Sequence, residues 1–435
     1  MSPAPAARCG IAFALLVAAA AAPGAEEYSF DASAFEKKAV EVGGNVQIKQ
    51  EGFALNRAGA FYRLGSLGLP QRETLDRSTA TLELSGKIRP GAGTFDFRTY
   101  SSANRDPWQH DHVNAVYEAA YSVRPGPGLT LEAGKRVLRW GKGYAWNPVG
   151  FVERPKDPND PQLAREGYWM ANADWIVNRE GALQTVALTP ALLPVGNEVN
   201  SDLGASGHLN PAAKLYLLYR DTDIDFMWQG KGSRPARFGA DFSRNITSNF
   251  ELHGEWARVE KFTRQTTTAG GSISSTTGQA SSYLLGLRYL TSGDTTYIVE
   301  YYRNGTGYSE HEARQFYALV NTTFAQLQQS GSSPLLKKAQ ALGQGGYGRP
   351  NAGEQYLYFR AQQKDAFGIV YFQPAVTAMM NLEDRSYQVT PELLYTGINN
   401  LELRMKAFVL KGGAATDFGE KQNSRRIEIY ARYYF

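Results

Sequence analysis

Apolar and polar side chains alternate one by one through many short segments of this chain. The last segment is the clearest, since Ile427, Ile429, Tyr433 and Phe435 alternate with charged or tyrosine side chains. The same period of two recurs in segments that lie at 80–84, 113–121, 215–219, 283–289, 297–301, 387–395 and 401–409. Such a period is typical of β-strands with one apolar and one polar face. The pattern therefore predicts an all-β chain.

The connections between these segments alternate between short and long. The short ones are rich in Gly, Pro, Asn and Asp, as tight turns are, and they lie at 89–93, 124–128, 178–181, 220–223, 245–249, 291–294, 363–366 and 397–400. Mostly longer connections separate them, including 141–168, 190–211, 263–279, 304–354 and 411–423. Short turns on one rim and long loops on the other are typical of bacterial membrane barrels. Eight turns with nine loops predict about 18 strands (16–18), although residues 26–75 mark the first strand poorly.

The N-terminal residues have the layout of a secretory signal peptide. Arg8 precedes an apolar run over 10–22, and small residues follow up to Ala25, as at a cleavage site. We expect a signal peptide over 1–25 and a single barrel domain over 26–435. The one cysteine, Cys9, would be removed with it. Beyond this segment no apolar run reaches the roughly 20 residues of a spanning helix, so a membrane protein of this sequence would be an antiparallel up-and-down transmembrane β-barrel.

Aromatic side chains recur next to the short turns, on the apolar faces of the strands. They are Tyr121, Tyr219, Phe250, Tyr289, Tyr297, Tyr395 and Tyr433. An aromatic girdle at a membrane interface explains this placement. The terminal strand resembles that of Gram-negative outer-membrane barrels, and most of the chain resembles the large, 16–18-stranded, substrate-selective porins. The resemblance implies an outer-membrane location, contact with lipid and lipopolysaccharide, and recognition of Tyr433 and Phe435 by the insertion machinery.

The polar faces of the strands would line a lumen that carries charges of both signs. Candidate pore-lining residues on these faces are Arg237, Asp241, Glu251, His253, Glu255, Arg404 and Arg432. Charged rings of either sign set ion selectivity in channels. Each residue alone could equally hydrate or cross-link the wall.

A dense segment of basic, aromatic and proline residues follows the strand that ends near 136. Its candidate constriction residues are Lys135, Arg136, Arg139, Trp140 and Lys142. Prolines stiffen the loop over about 140–165, and its tryptophans can anchor it by burial. If it enters the lumen, its basic residues, which also include Arg154, Lys156 and Arg165, would favour anions. The alternative is a rigid external cap.

Apolar residues change to helical spacing inside the longest connection. Phe316, Leu319, Val320, Phe324 and Leu327 form one stripe, and Leu335, Leu336, Ala339 and Leu342 form a second. This spacing predicts two short amphipathic helices, so we expect a helical extracellular loop near 310–343.

Charge and motifs narrow the functional classes. Lys plus Arg number 46 and Asp plus Glu 42, a balance that argues against a nucleic-acid partner. No nucleophile elbow, phosphate loop or zinc-protease motif occurs, and we expect no cofactor. His110 and His112 lack a third metal ligand in the sequence. We expect a channel for passive diffusion of small polar solutes. The alternatives are an export or assembly barrel, which passes a polymer or sheathes an electron carrier, and a barrel hydrolase that uses Glu251, His253 and Glu255.

Overall fold

Eighteen strands form one closed antiparallel barrel in the structure, a computed structural model that describes residues 38–435. The strands are β1 Val40–Leu55, β2 Thr74–Ile88, β3 Gly93–Arg105, β4 His110–Gly126, β5 Leu129–Arg136, β6 Tyr168–Asn178, β7 Leu183–Val195, β8 His208–Tyr219, β9 Thr222–Gln229, β10 Arg237–Thr247, β11 Phe250–Thr267, β12 Ile273–Leu290, β13 Thr295–Arg303, β14 Gln355–Gln363, β15 Phe372–Asn381, β16 Tyr387–Ile398, β17 Leu401–Lys411 and β18 Asn423–Tyr434. Each strand pairs with the next, and β18 pairs with β1 through a register that includes Val46 opposite Tyr433. The predicted all-β barrel is confirmed. The predicted signal peptide lies outside the described residues.

The alternation in the sequence becomes an outside and an inside of the barrel wall. In β18, Ile427 and Ile429 are about half exposed on the outer face, whereas Glu428 and Tyr430 are buried on the inner face. Closure of the sheet pairs the backbone of every strand on both sides, as a structure in lipid requires. The apolar side chains can then face outward and the charged ones inward.

The two rims of the barrel differ as the connections predicted. One rim, the turn rim, carries eight turns at 89–92, 127–128, 179–182, 220–221, 248–249, 291–294, 364–371 and 399–400. The opposite rim, the loop rim, carries the other nine connections, most of which are longer. Two predicted loops are shorter than expected, because β11 continues to Thr267 before β12 begins at Ile273, and β7 and β8 include Pro190 and Pro211. The β6–β7 register is interrupted opposite Pro190, since proline has no N–H to offer a neighbouring strand.

One predicted outward stripe, 113–121, is broken by a bulge. The β3–β4 register shifts between Arg98 and Thr99, so that Tyr117 is left without an opposite residue. Tyr117 instead faces the lumen and stacks on Tyr100 with ring centroids 4.8 Å apart. A bulge inserts one residue and reverses the parity beyond it, which a period of two in the sequence cannot reveal.

Three helices cover part of the loop rim. They are α1 Ala60–Gly65, α2 Glu310–Ser330 and α3 Leu336–Gln344. Ser309 and Glu312 form a capping box at the start of α2, and Phe316 packs between Phe61 and Tyr347. Within 38–435, no helix is long and apolar enough to cross a membrane.

Candidate functional site: a loop that divides the lumen

The connection between β5 and β6, residues 137–167, folds into the barrel and is called the lumen loop below. Its side chains Trp140, Val149, Phe151 and Val152 are at most 2% exposed. They form one apolar cluster with inward residues of the wall strands, among them Leu193. Burial of this size holds a loop firmly. The lumen loop is therefore part of the packed interior and not an external cap.

Two wall carboxylates bind the backbone of the lumen loop. Glu255 on β11 accepts hydrogen bonds from the N–H groups of Lys142 and Gly143, both at 2.6 Å. Glu300 on β13 accepts hydrogen bonds from the N–H groups of Tyr144, with a short contact, and Ala145, at 2.8 Å. Four successive N–H groups thus meet two buried anions, a charge-assisted arrangement stronger than neutral hydrogen bonds.

An aromatic group extends this anchorage toward β14. The Trp146 ring stacks on Tyr302 at 5.1 Å and lies edge-on to Tyr358 at 5.9 Å. Further along, Asn159 accepts a hydrogen bond from Gln388 on β16, and Asp160 pairs with Lys406 on β17 at 3.2 Å. The lumen loop consequently spans the barrel from β5 to β17.

Most basic residues of the lumen loop are neutralised where they lie. Lys142 Nζ is 2.9 Å from Asp225, Arg154 is 2.9 Å from Asp202, and Arg165 is 2.7 Å from Glu153. Lys156 donates a hydrogen bond to the backbone carbonyl of Gly143. These four residues, which were expected to favour anions if the loop enters the lumen, are thus each held by a carboxylate or a backbone carbonyl. Asp225 lies on β9 and Asp202 in the β7–β8 connection, both distant in sequence, whereas Glu153 and Gly143 belong to the lumen loop itself.

Burial perturbs the ionisation of several groups in the lumen loop. Burial raises the pKa of the Glu153 carboxyl, against the effect of Arg165. Burial lowers the pKa of the Lys156 ammonium, which its neighbouring carboxylates offset only in part. For Lys142, burial acts to lower the pKa, but Asp225 outweighs it and the pKa is raised. Lys142 therefore stays charged as a cross-link to the wall.

The cluster of Glu251, His253 and Glu255 also helps to anchor the lumen loop to the wall. His253 is fully buried, with Nε2 2.9 Å from Glu300 and Nδ1 3.5 Å from Glu251. Tyr144 donates its hydroxyl to Glu251 at 3.3 Å. A fully covered histidine offers no access to a substrate, and its ring instead orients Glu300. Among residues 38–435, no group of three or more potential ligands is placed to hold a metal ion.

Three cavities follow one another along the strands that the lumen loop leaves uncovered. The lower cavity, about 480 Å³, is lined by Glu41, Lys87, Asp96, Arg98, Glu118 and Arg136 among others. The middle cavity, about 420 Å³, is lined by Glu83, Arg98, Tyr100, Tyr117, Arg139, Asp160, Glu402, Arg404, Tyr430, Arg432 and Tyr434 among others. The upper cavity, about 290 Å³, is lined by Phe61, Asn159, Gln388, Phe408, Phe418, Lys421 and Arg426 among others. They run from the turn rim to the loop rim.

The lumen is thus divided into two parts. The sealed half is the side of β7–β15, where wall side chains pack against the lumen loop. The open half is the side of β17, β18 and β1–β4, where the cavities lie. Asp225, Asp241 and Glu255 lie directly opposite one another on β9, β10 and β11 in the sealed half and are at most 4% exposed.

The predicted site residues fall into several groups. Arg139, Arg404 and Arg432 line the middle cavity, and Arg136 lines the lower one. Those that lie in the sealed half are Trp140, Lys142, Asp241, Glu251, His253 and Glu255. Arg237 is half-buried at the loop-rim end of β10. Lys135 lies opposite the outward-facing Trp169, and its ammonium pairs with Glu166.

Sequence reasoning missed part of the middle cavity. Arg98 and Tyr100 were not among the candidates, Tyr117 was expected to face outward, and Tyr430 and Tyr434 were placed on the polar face of β18 but not among the pore-lining residues. In the middle cavity, Arg404 forms an ion pair with Glu402 at 3.0 Å, and the Arg432 guanidinium donates a hydrogen bond to Gln47 Oε1 at 2.6 Å. Arg139 is exposed and forms no ion pair with any residue of the described range. It is the lumen-loop cation best placed to meet a solute.

Comparison with known proteins gives the class of the fold. No protein-family model matches the chain, and no curated protein sequence matches it. Among solved structures, Pseudomonas aeruginosa OpdQ aligns with a TM-score of 0.54 at 10% identity, over 92% of this chain and 99% of that chain. OccK5 (OpdH) of the same organism aligns with a TM-score of 0.49 at 11% identity, over 90% of this chain and 98% of that chain. The alignment with OpdQ shows a shared fold, which in this chain is the closed 18-stranded barrel.

Proposed function

We propose that this chain is a channel for passive diffusion of small polar solutes across the outer membrane of a Gram-negative bacterium, with a preference for anions. The observation that carries the proposal is the succession of three cavities along one side of a closed barrel, of which the lower and middle ones are lined mainly by polar side chains. A barrel of this strand number leaves an aqueous lumen unless loops fill it. Here one loop fills half and leaves a narrow path along the other half.

The size of the path favours small solutes. Each cavity measures at most about 480 Å³, which suits a small molecule. The lumen loop is held by its apolar cluster and by Glu255 and Glu300, so it stays in place during passage. A polymer or a folded electron carrier would need this loop displaced.

The charge along the path supports the preference for anions. Six basic residues line the upper and middle cavities, and all of them except Arg139 pair with carboxylates, namely Arg98, Arg139, Arg404, Lys421, Arg426 and Arg432. Three acidic residues line the same two cavities, namely Glu83, Asp160 and Glu402. A narrow passage with low-dielectric walls magnifies such an excess and concentrates the opposite charge. The lower cavity is balanced and adds no bias.

The orientation follows from the two rims. Short turns face the periplasm in bacterial barrels, and long loops face outward. The turn rim would therefore be periplasmic, and the helices would lie at the outer surface beside lipopolysaccharide. Tyr433 and Phe435 close β18 at the turn rim with outward, half-exposed rings. This is where the insertion machinery would engage the chain.

Planar-bilayer recordings with paired tryptophan variants test the proposal. The refolded protein should give ohmic conductance steps and a reversal potential of anion-selective sign in a salt gradient. Ala164→Trp places a large ring in the middle cavity and should reduce the conductance. The matched Ala133→Trp change lies on the exposed outer face of β5 and should leave it unchanged. Silence of well-refolded protein over a range of salts, or equal conductance of both variants, would contradict this path.

A further inference from the structure

One turn on the turn rim differs from the other seven in length and chemistry. The connection between β14 and β15 covers residues 364–371, whereas the others have two to four residues. Its sequence includes Phe367, Ile369, Val370 and Tyr371. The other turns consist of polar residues, glycine, alanine and proline. The turn rim, whose other turns carry polar or small residues and proline, therefore has one apolar projection.

The apolar side chains of the 364–371 turn are not covered by the rest of the protein. Phe367 is 88% exposed, and Ile369, Val370 and Tyr371 are 50%, 59% and 56% exposed. Single exposed apolar residues are ordinary, but four within five positions form a contiguous patch. Such a patch on a rim that faced only water would be unfavourable, so it indicates an apolar environment in the native location.

The backbone of the turn holds these side chains in a defined position. Asp365 Oδ1 accepts a hydrogen bond from Tyr371 N at 2.6 Å, and Lys364 N donates to the Asp294 carbonyl of the adjacent turn at 3.1 Å. Phe367 and Tyr371 have φ values of 59° and 65°, a left-handed conformation that bulky residues rarely adopt. Backbone strain of this kind persists where the display of a side chain is useful.

The patch continues the outer, lipid-facing surface of the wall. The Phe367 ring lies 6.4 Å from the ring of Phe372. Phe372 is directly opposite Tyr395, which is opposite Leu403, and opposite residues share one face of the sheet. Since Leu403 is exposed on the outer face of the barrel, Phe367 lies toward the membrane side of the rim.

We propose that the 364–371 turn is a membrane-interface anchor, which inserts Phe367, Ile369, Val370 and Tyr371 into the headgroup region of the phospholipid leaflet around the turn rim. The inference rests on the proposed placement of the barrel in a membrane. Continuity with the lipid-facing wall assigns the patch to lipid and not to a periplasmic protein. The ammonium of Lys364, whose side chain is 65% exposed, can pair with lipid phosphates beside it, as basic residues do at membrane interfaces.

Depth-dependent fluorescence quenching tests the anchor. In a Cys9→Ser background, Phe367→Cys is labelled with an environment-sensitive fluorophore in vesicles of phosphatidylethanolamine and phosphatidylglycerol that contain spin-labelled lipids. Gly293→Cys in the adjacent turn is the matched aqueous control. Leu285→Cys, which is 54% exposed on the outer face of β12, reports insertion of the barrel.

The three positions separate the possible results. We expect the label at 285 to be quenched by deep spin labels, the label at 367 to be blue-shifted and quenched best by shallow ones, and the label at 293 to stay aqueous. If 285 is quenched while 367 behaves like 293, the anchor is overturned, and the turn is left as a surface for a soluble partner. If 285 is also unquenched, the barrel is not in the membrane, and the proposed function fails with it. Channel conductance does not enter this measurement.

Discussion

The two halves of the lumen have the same kind of wall, but the lumen loop covers the wall in one half and leaves it uncovered in the other. Both present alternating charged side chains from antiparallel strands. In the sealed half, Asp225, Glu255 and Glu300 are at most 4% exposed because the lumen loop covers them. In the open half, Arg98 and Arg432 line cavities. The difference teaches that a residue on the inner face of a barrel becomes part of the path only where a loop leaves it uncovered.

The two halves of the lumen also differ in the sign of the charged side chains that they concentrate. The sealed half concentrates carboxylates. Among them, Glu255 and Glu300 are met by backbone N–H groups of the lumen loop, and Asp225 is met by Lys142. The open half keeps arginines at its surface. Burial of a carboxylate is costly unless its hydrogen bonds are satisfied, so the acids of the sealed half are well suited to anchor a loop. In the proposed channel, the loop would thereby remove negative charge from the lumen and leave a basic excess along the path.

Deletion of the part of the lumen loop that separates the two halves should have the largest effect on channel conductance. Deletion of residues 150–163 removes Phe151, Val152 and the contact of Asp160 with Lys406. We expect the single-channel conductance to rise roughly threefold or more, since an unfilled barrel of this size contains a wide aqueous channel. The anion preference should fall as well, because a wider passage concentrates anions less than a narrow one with low-dielectric walls. Single-channel recordings in planar bilayers check both effects. An unchanged conductance would place the path elsewhere.

Removal of the two carboxylate anchors should weaken the division without shortening the chain. In the Glu255→Ala, Glu300→Ala double variant, five loop N–H groups lose their acceptors, those of residues 142–145 and of Val149. Each buried unsatisfied group costs about 1–3 kcal/mol. We expect larger and noisier conductance, and new tryptic cleavage after Lys142 and Lys156. Glu83→Gln in the open half is the control and should resist cleavage as wild type does. Equal protease resistance in all three proteins would show that the apolar cluster alone holds the loop.

The sequence predicted the fold because its signal is local. Alternation in β18, the eight turns and the two stripes at 316–342 all depend on neighbours within a few residues. Two kinds of structural feature could not be predicted from the sequence. The bulge at Tyr117 changes parity without a sequence mark, and the polar run over 263–279 reads as a loop although its residues pair across β11 and β12.

The candidate site was less predictable because its members are joined by long-range contacts. The dense basic segment 135–165, which the sequence offered as a candidate constriction, contains most of the lumen loop. Whether Lys142 meets a solute or Asp225, however, depends on contacts across the barrel. Likewise, alternation places Arg404 and Glu255 on the same inner face but cannot say which of them the loop will cover. Only Arg139, Arg404, Arg432 and Arg136 of the twelve candidates line a cavity.

Two neighbouring cations of the lumen loop should respond differently to neutralisation. Arg139→Gln removes an unpaired charge from the middle cavity and should shift the reversal potential in a salt gradient toward cations. Lys142→Gln should leave Asp225 as a buried charge that has lost its closest partner, a loss that costs about 3–5 kcal/mol for buried pairs. We therefore expect Lys142→Gln to increase tryptic cleavage of the loop at Lys156, and Arg139→Gln to leave it intact. Equal selectivity shifts in intact proteins would contradict the division into two halves.

The smallest effect is expected at the boundary between the halves. Asp160 lines the middle cavity and also pairs with Lys406 at 3.2 Å. Asp160→Asn removes one acid from the path without changing the shape of the side chain, so the reversal potential should move toward anions, opposite in sign to Arg139→Gln. The shift should be smaller, because Lys406 already offsets part of the Asp160 charge, whereas Arg139 has no ion-pair partner in the described part of the chain.

Asp157→Asn provides the control in the same loop, since Asp157 accepts a hydrogen bond from Asn159 N at 2.9 Å but lines none of the three cavities. We expect no shift for this variant. If Asp157→Asn and Asp160→Asn move the reversal potential equally, selectivity reflects the total charge of the loop. If only Asp160→Asn moves it, selectivity is set by the side chains that the loop leaves facing the open half, as the separation of charge between the two halves requires.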